Sequence, residues 1–282
     1  MGESMAQPDI KLSSGKAHGQ AFGWGAAIGS LGGLIGLGGA EFRLPVLAAV
    51  FRFRMLDAII INLMVSLVTV IFAFLFRIGM TGIVDLLPYL WVVANILAGS
   101  LIGSWMGVHF ATRVNERLLT QVVVVFLVFL SIVLMGHELI FSGLGLDIPL
   151  ALAVVLGFLA GIVIGLFSSM LGVAGGELII PTILLLYGLD IKVAGTLSLA
   201  ISIPTILMGL SRYRARQTFD ELNQFGGFIG WMAAGSILGA LIGALLMVYT
   251  PSTALHVLLG GILLISAWKL AKVKLRAPQE AS

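Results

Sequence analysis

The sequence contains no cysteine and very few charged residues. Of its 282 residues none is Cys, and Asp, Glu, Lys and Arg together make up 10%, against about 25% in soluble domains. The absence of Cys excludes disulfides, thiolate metal sites and Cys nucleophiles. Because 59% of the residues are hydrophobic and the mean hydropathy is +1.12, a soluble globular protein and an appended soluble domain are excluded as well.

Motifs for catalysis and cofactor binding are also scarce. The four histidines are scattered and have none of the paired spacings of metal ligands. The glycines at 36, 38 and 39 are not set in the strand–turn–helix unit of a nucleotide-binding loop. Ser168 and Ser169 have no histidine placed to activate them. We therefore expect no enzymatic activity, no catalytic residue, no metal, no cofactor and no nucleic-acid partner.

Long apolar segments recur along the chain. A transmembrane helix needs about 20 residues, and eight segments are long enough: about 20–37, 56–76, 84–111, 118–136, 149–172, 191–211, 222–249 and 253–271. Two shorter apolar runs, 42–51 and 178–187, each follow a glycine cluster. The sequence predicts an all-α polytopic membrane protein with eight long transmembrane helices and two short or broken segments.

The two halves of the sequence repeat each other at a constant offset of 136 residues. Matched pairs include Gly25/Gly161, Gly36/Gly172, Glu41/Glu177, Pro45/Pro181, Ser66/Ser202, Gly99/Gly235 and Gly103/Gly239. We therefore divide the chain into a cytoplasmic N-terminal tail (1–19), a first transmembrane repeat (20–137), a connecting loop (138–148), a second repeat (149–272) and a cytoplasmic C-terminal tail (273–282).

The basic residues favour an inverted arrangement of the two repeats. If each half has five crossings, the halves are antiparallel, and thirteen Lys and Arg residues share the side of the N-terminus while Arg77 and Lys192 lie opposite. With four crossings per half the division is ten against five. We expect two inverted repeats of about five segments each, in the inner (cytoplasmic) membrane, with both termini in the cytoplasm. Segments 38–54 and 174–190 would be broken crossings, with re-entrant hairpins as the alternative.

A glycine-rich break precedes each short apolar run. The two breaks are Gly36–Pro45 and Gly172–Pro181, and each combines small residues, a glutamate and a proline, which interrupts a regular helix. We interpret Gly38, Gly39, Gly175 and Gly176 as substrate-binding positions, where backbone passes close to a ligand. Helices that start near Glu41 and Glu177 would offer N-terminal amide donors to an anion. The alternative is that these glycines only permit close helix packing and that Pro45 and Pro181 lie in the first turn of a helix.

Three ionisable residues accompany the breaks. Glu41 and Glu177 are candidates for proton coupling, because low-dielectric surroundings disfavour a charged carboxylate. The alternative is that each carboxylate caps free amides at a helix N-terminus. Arg43 has no counterpart in the second half, where Ile179 takes its place. It is a candidate for contact with an anionic substrate, and pairing with Glu41 is the alternative.

Uncharged polar residues follow each short run. Asn62 aligns with Ser198 at the offset of 136, so each half has a hydrogen-bonding side chain at an equivalent position. We include both among the substrate-binding candidates. The ridges Gly99-xxx-Gly103-xxx-Gly107 and Gly235-xxx-Gly239-xxx-Gly243 are typical of close helix packing.

The two glycine motifs, together with the downstream Ala194-Gly-Thr-Leu-Ser198-Leu, resemble the sulfite exporter TauE/SafE family of membrane permeases. The resemblance extends over residues 20–272. It departs from the family pattern at Ala40, Ala174 and Asn62. It implies secondary transport of small sulfur-containing anions, with the glycine-rich segments on Gly38, Gly39, Gly175 and Gly176 and a polar helix position on Ser198.

From the residues and this resemblance together we expect a secondary active transporter, an exporter of a small inorganic or organosulfur anion such as sulfite or an organosulfonate. Proton coupling would act through Glu41 or Glu177. The alternative function is a passive anion channel. The expected partners are the anion and the lipid bilayer, and a homo-oligomer is left open.

Overall fold

The computed structural model describes residues 15–53, 55–110, 149–171, 175–214 and 225–276, together with residues 124, 128, 131 and 132. All the regular elements in these residues are helices. They are α1 (Gly15–Ile35), α2 (Ala40–Ala49), α3 (Met55–Thr81), a 3₁₀ helix (Val84–Tyr89), α4 (Leu90–Phe110), α5 (Leu150–Leu171), α6 (Gly176–Tyr187), α7 (Ile191–Arg214), α8 (Gly226–Tyr249) and α9 (Ser252–Arg276). The four single residues are also helical.

Five helices in the described residues are long and apolar enough to cross a membrane. They comprise Asp57–Met80, Val84–Met106, Leu150–Ser168, Ile191–Ser211 and Gly226–Tyr249, which correspond to five of the eight long segments expected. Helix α1 is less apolar because it is rich in glycine, α9 has only a shorter apolar part, Ser252–Ile265, and most of 118–136 lies outside the described residues. The prediction of an all-helical polytopic membrane protein is confirmed, while the count of eight spans stays a prediction.

The distribution of polar side chains is that of a membrane protein. Large apolar side chains such as Leu75, Trp105 and Leu150 are exposed on the outer faces of the helices, where lipid tails can cover them. The interior, in contrast, contains fully buried polar side chains, including Arg43 and Arg77. Because a charge inside a membrane is costly, it faces the interior of the bundle.

Two helix pairs pack at very short range through glycine. Helix α1 packs on α8, and a Cβ atom added to Gly25 or Gly235 would collide with a backbone carbonyl oxygen of the facing helix. Helix α4 packs on α5 in the same way, through Gly99 and Gly161. The prediction that these ridges serve close packing is therefore confirmed at Gly99, Gly103, Gly235, Gly239 and Gly243.

The contacts of these two pairs are related by the offset seen in the sequence. Gly25 meets Met232, and Gly161 meets Ile96. Gly161 is 136 residues after Gly25, and Met232 is 136 residues after Ile96, so the repeat makes the two contacts equivalent. The same holds for Gly235 with Phe22 and Gly99 with Phe158, and for Gly239 with Ala26 and Gly103 with Ile162. A repeat in the sequence therefore accompanies a repeat in the packing.

Helices α2 and α6 are short, and each begins at a glycine break. With 10 and 12 residues they extend roughly 15 and 18 Å, about half of the hydrocarbon core. Each begins directly after a glycine in the left-handed conformation, Gly39 (φ 73°) and Gly175 (φ 75°), where other residues are strained. The sequence predicted helices starting near Glu41 and Glu177, and these starts are confirmed. Pro45 and Pro181 lie inside the helices rather than in the first turn.

Candidate functional site

The glycine candidates adopt backbone conformations that other residues rarely take. Gly38 (φ 80°), Gly39 and Gly175 lie in the left-handed region, as does Gly36 (φ 97°). Gly176 differs, because it is the first residue of α6. A methyl group there would lie 3.0 Å from the backbone of Leu37. The start of α6 thus lies against the first break, and a side chain at 176 would make this contact tight.

The two glutamates belong to one electrostatic group. Both lie in the first turn of their short helix, and their charges interact with each other. Glu177 is almost fully buried. The two carboxyl oxygens of Glu41 are buried and have no hydrogen-bond partner among the described residues. The structure therefore brings together two acidic residues that are 136 positions apart in the sequence.

Arg43 is completely buried within a cluster of hydroxyl groups. Its guanidinium donates hydrogen bonds to Ser66 Oγ (2.6 Å), Thr69 Oγ1 (3.0 Å) and Ser236 Oγ (3.3 Å). The Nε atom has no hydrogen-bond partner in the described part of the chain. The charge of Glu41 interacts with that of Arg43. Arg43 therefore joins α2 to α3 and α8 and places a positive charge in the interior.

Asn62 and Ser198 both hold the backbone of the first break. Asn62 Nδ2 donates to the carbonyl oxygen of Ala40 (3.0 Å), the first residue of α2. Ser198 Oγ lies 2.5 Å from the carbonyl oxygen of Gly36 and 3.1 Å from that of Gly195. The two equivalent positions thus converge on one break, from α3 on one side and α7 on the other.

Arg77 is a second buried guanidinium, which the sequence suggested only as a marker of topology. Its Nε donates to Thr196 Oγ1 (3.0 Å), and its two terminal nitrogens donate to the carbonyl oxygens of Gly33 (3.2 Å) and Lys192 (2.8 Å). Arg77 therefore binds the last turn of α1, just before the first break, to the start of α7. The signal available in the sequence was a lone arginine inside an apolar segment.

These residues offer an anion several kinds of stabilisation in one region. The N-termini of α2 and α6 supply amide groups and the positive end of the helix dipole. Arg43 supplies a full positive charge, whereas Glu41 and Glu177 would repel an anion when they are ionised. Broken helices whose N-termini face a buried site are a recurrent way for transporters to bind an anionic group.

The comparisons with known proteins agree with this arrangement. A family model described as "Sulfite exporter TauE/SafE" matches residues 5–134 and 155–282, which is nearly the whole chain. No curated protein and no solved structure matches. The family model covers both glycine breaks, both short helices and the polar residues around them. The chain belongs to the sulfite exporter TauE/SafE family of membrane permeases.

Proposed function

We propose that this permease is a secondary active exporter of a small sulfur-containing anion, such as sulfite or an organosulfonate, across the cytoplasmic membrane. The observation that supports this most directly is the contact of the two breaks, where the start of α6 meets Leu37, in the break that also contains the fully buried Arg43. A buried charge within membrane helices is a marker of a substrate or ion pathway. The family of the chain supports a sulfur oxyanion as the substrate.

Two inverted repeats, 20–137 and 149–272, would provide the alternating access that secondary transport needs. The equivalent contacts of the pairs α1/α8 and α4/α5 support the repeat, because each pair combines one helix from each half. Inversion requires that α2 and α6 count as broken crossings, and the excess of basic residues on the side of the N-terminus supports that count. Both termini are then cytoplasmic.

The substrate would bind where the two breaks meet. Gly38, Gly39, Gly175 and Gly176 let the backbone approach it, and Arg43 balances its charge. Asn62 and Ser198 act on the first break, since their hydrogen bonds to Ala40 and Gly36 hold the chain in the conformation that exposes amide groups. An anion bound here exchanges its hydration shell for fixed donors.

Proton coupling would act through Glu41 and Glu177. Two carboxylates whose charges interact in a dry interior repel each other and an anion alike. Protonation of both removes this repulsion and leaves Arg43 as the nearby charge. Binding of the anion and binding of protons then favour each other. Such coupling moves the anion and protons in the same direction, so export would be driven by the outward gradient of the anion.

Flux into proteoliposomes tests the proposal. We expect saturable uptake of sulfite, thiosulfate or a short sulfonate, above that of acetate and chloride, with a rate that changes when a proton gradient is imposed. Glu41→Gln and Glu177→Gln should transport without a response to the gradient. Ohmic current with no saturation would identify a passive anion channel instead. Absence of flux for every anion would overturn the proposal.

A further inference from the structure

The two short helices make polar contacts at different positions along their length. In α2 the guanidinium of Arg43, one turn into the helix, donates to hydroxyl groups of neighbouring helices, and Phe51, just after the helix, is fully buried in an apolar cluster. The offset of 136 relates these positions to Ile179 and Tyr187 of α6. There the polarity is exchanged, since Ile179 is fully buried among apolar side chains and Tyr187 forms hydrogen bonds to other helices. Of these two positions, the first is therefore polar in α2 and the second is polar in α6.

Tyr187 fixes the end of α6 to the helix pair α4/α5. Its hydroxyl oxygen accepts a hydrogen bond from Asn95 Nδ2 (2.7 Å) and donates to the carbonyl oxygen of Ala153 (3.3 Å). Asn95 Nδ2 also donates to the carbonyl oxygen of Val154 (2.9 Å). The tyrosine ring lies edge-to-face on Trp91, with the ring centroids 5.3 Å apart. The end of α6 is thus bound to both helices of a pair that glycine ridges hold together.

Three equivalent positions differ between the halves, and each difference serves the tyrosine hydroxyl. The pairs are Tyr187/Phe51, Asn95/Trp231 and Gly157/Ala21. Asn95 supplies the donor, and Gly157 leaves the space, because a Cβ atom there would collide with the hydroxyl oxygen. Phe51 needs neither, and Ala21 lies in the same buried apolar cluster. The hydroxyl, its partner and its space are therefore present together in one half and absent together from the other.

Helix α6 connects this contact to the anion site. Its 12 residues extend roughly 18 Å, from Gly176, beside Leu37 of the first break, to Tyr187. Between its ends α6 packs through apolar side chains such as Ile179 and Ile183. Apolar packing is non-directional, whereas a hydrogen bond constrains both distance and angle. Because a regular helix of this length moves as one body, the hydrogen bonds at its end constrain where its start lies.

We propose that Tyr187, together with Asn95, is a positioning residue of the anion site, which acts through α6 and holds the N-terminus of this helix against the first break. This role rests on the proposed function and adds to it a residue at the far end of α6 from the breaks. When the tyrosine contact is lost, α6 leaves its place in a larger fraction of molecules, and the apparent affinity for the anion falls accordingly. A saturating anion restores the placed conformation, so the maximal rate stays the same.

Tyr187→Phe tests this role, because it removes the hydroxyl and copies the residue already present at Phe51, so the fold should be retained. Flux of sulfite, thiosulfate and methanesulfonate into proteoliposomes is measured over a range of concentrations. We expect the KM of Tyr187→Phe to rise about three- to tenfold, as for the loss of one or two partly exposed hydrogen bonds, with an unchanged maximal rate. Tyr249→Phe is the matched control, since this tyrosine at the end of α8 is 84% exposed, and its KM should equal that of the unmodified protein.

A purely structural role for Tyr187 would lower the unfolding temperature and leave KM as it was. Unchanged KM in Tyr187→Phe, with saturable flux intact, would therefore overturn the positioning role and leave the proposed function standing. Without saturable flux of any of the three anions in the unmodified protein, both would be overturned.

Asn95→Leu tests the same contact from α4, and it decides the question if Tyr187→Phe does not fold. It should raise KM by a similar factor or more, because it also removes the hydrogen bond to Val154. The double variant Tyr187→Phe/Asn95→Leu should be no worse than Asn95→Leu alone, since both changes remove one shared contact. Effects on KM that multiply in the double variant would contradict the positioning role.

Discussion

At the scale of single residues, the breaks depend on glycine for two separate physical reasons. Gly39 needs its left-handed backbone, and a side chain there would also meet Ile28 at 2.6 Å. Gly176 has ordinary helical backbone but needs space beside Leu37. The sequence showed only that glycines cluster before a glutamate and a proline. It could not separate the two reasons, because the neighbour of Gly176 belongs to the other half of the chain.

We predict that Gly39→Leu and Gly176→Leu each abolish transport while the protein still inserts. The added side chain displaces the backbone that surrounds the site, at a cost of about 1–3 kcal/mol. Anion flux measured at equal membrane levels of protein checks this. Gly230→Leu is the matched control, because this exposed glycine of α8 has no atom within 4 Å of an added Cβ. Full activity in both site variants would contradict the role of the breaks.

Arg77 is predicted to stabilise the fold around the first break. Arg77→Met removes the hydrogen bonds to Thr196, Gly33 and Lys192, so the free energy of unfolding should fall by about 2–4 kcal/mol. Thermal unfolding in detergent measures the change. Arg77→Lys should recover part of the loss, since an ammonium group makes fewer bonds in this geometry. Lys16→Met, at an exposed position, should have no effect.

At the scale of helices, local patterns in the sequence were good guides and distant contacts were not. Helix starts near Glu41 and Glu177 follow from glycine and helix chemistry within a few residues, and the small-xxx-small ridges follow from spacing alone. The partners of Arg43 did not follow, because Ser236 is 193 positions away. The sequence showed that positions such as Ser100 and Ser236 are equivalent in the two halves. This equivalence does not say which side chains each of them contacts.

The glycine ridges are predicted to tolerate no side chain at all. A Cβ at Gly99 would collide with the backbone of Phe158, so Gly99→Ala should force α4 and α5 apart and destabilise the protein by about 1–3 kcal/mol. The equivalent change in the other pair, Gly235→Ala, should have a similar effect. Thermal unfolding checks both, with Gly230→Ala as the control on the same helix as Gly235. Stability unchanged in the ridge variants would mean that the helix pairs can separate at no cost.

At the scale of the whole molecule, the repeat relates helices, contacts and polar clusters, and yet the two halves differ in charge. Arg43 stands opposite Ile179, and Arg77 has no charged counterpart at position 213, which is tyrosine. A transporter with two inverted halves can exchange its two conformations by exchanging the roles of the halves. Because Arg43 and Arg77 both belong to the first half, the two conformations would not be equivalent, and the affinity for an anion can differ between them.

The ends of the two short helices report whether the two halves are inverted in the membrane. Arg52 and Gly188 are equivalent at the offset of 136, both are exposed, and both have positive φ (54° and 62°). Each lies just after a short helix, Arg52 after α2 and Gly188 after α6. If the repeats are inverted, Arg52→Cys should be labelled by a membrane-impermeant thiol reagent from the cytoplasmic side and Gly188→Cys from the opposite side. The chain has no cysteine of its own, so the unmodified protein is the control. Labelling of both from one side would mean that α2 and α6 re-enter rather than cross and that the halves are parallel.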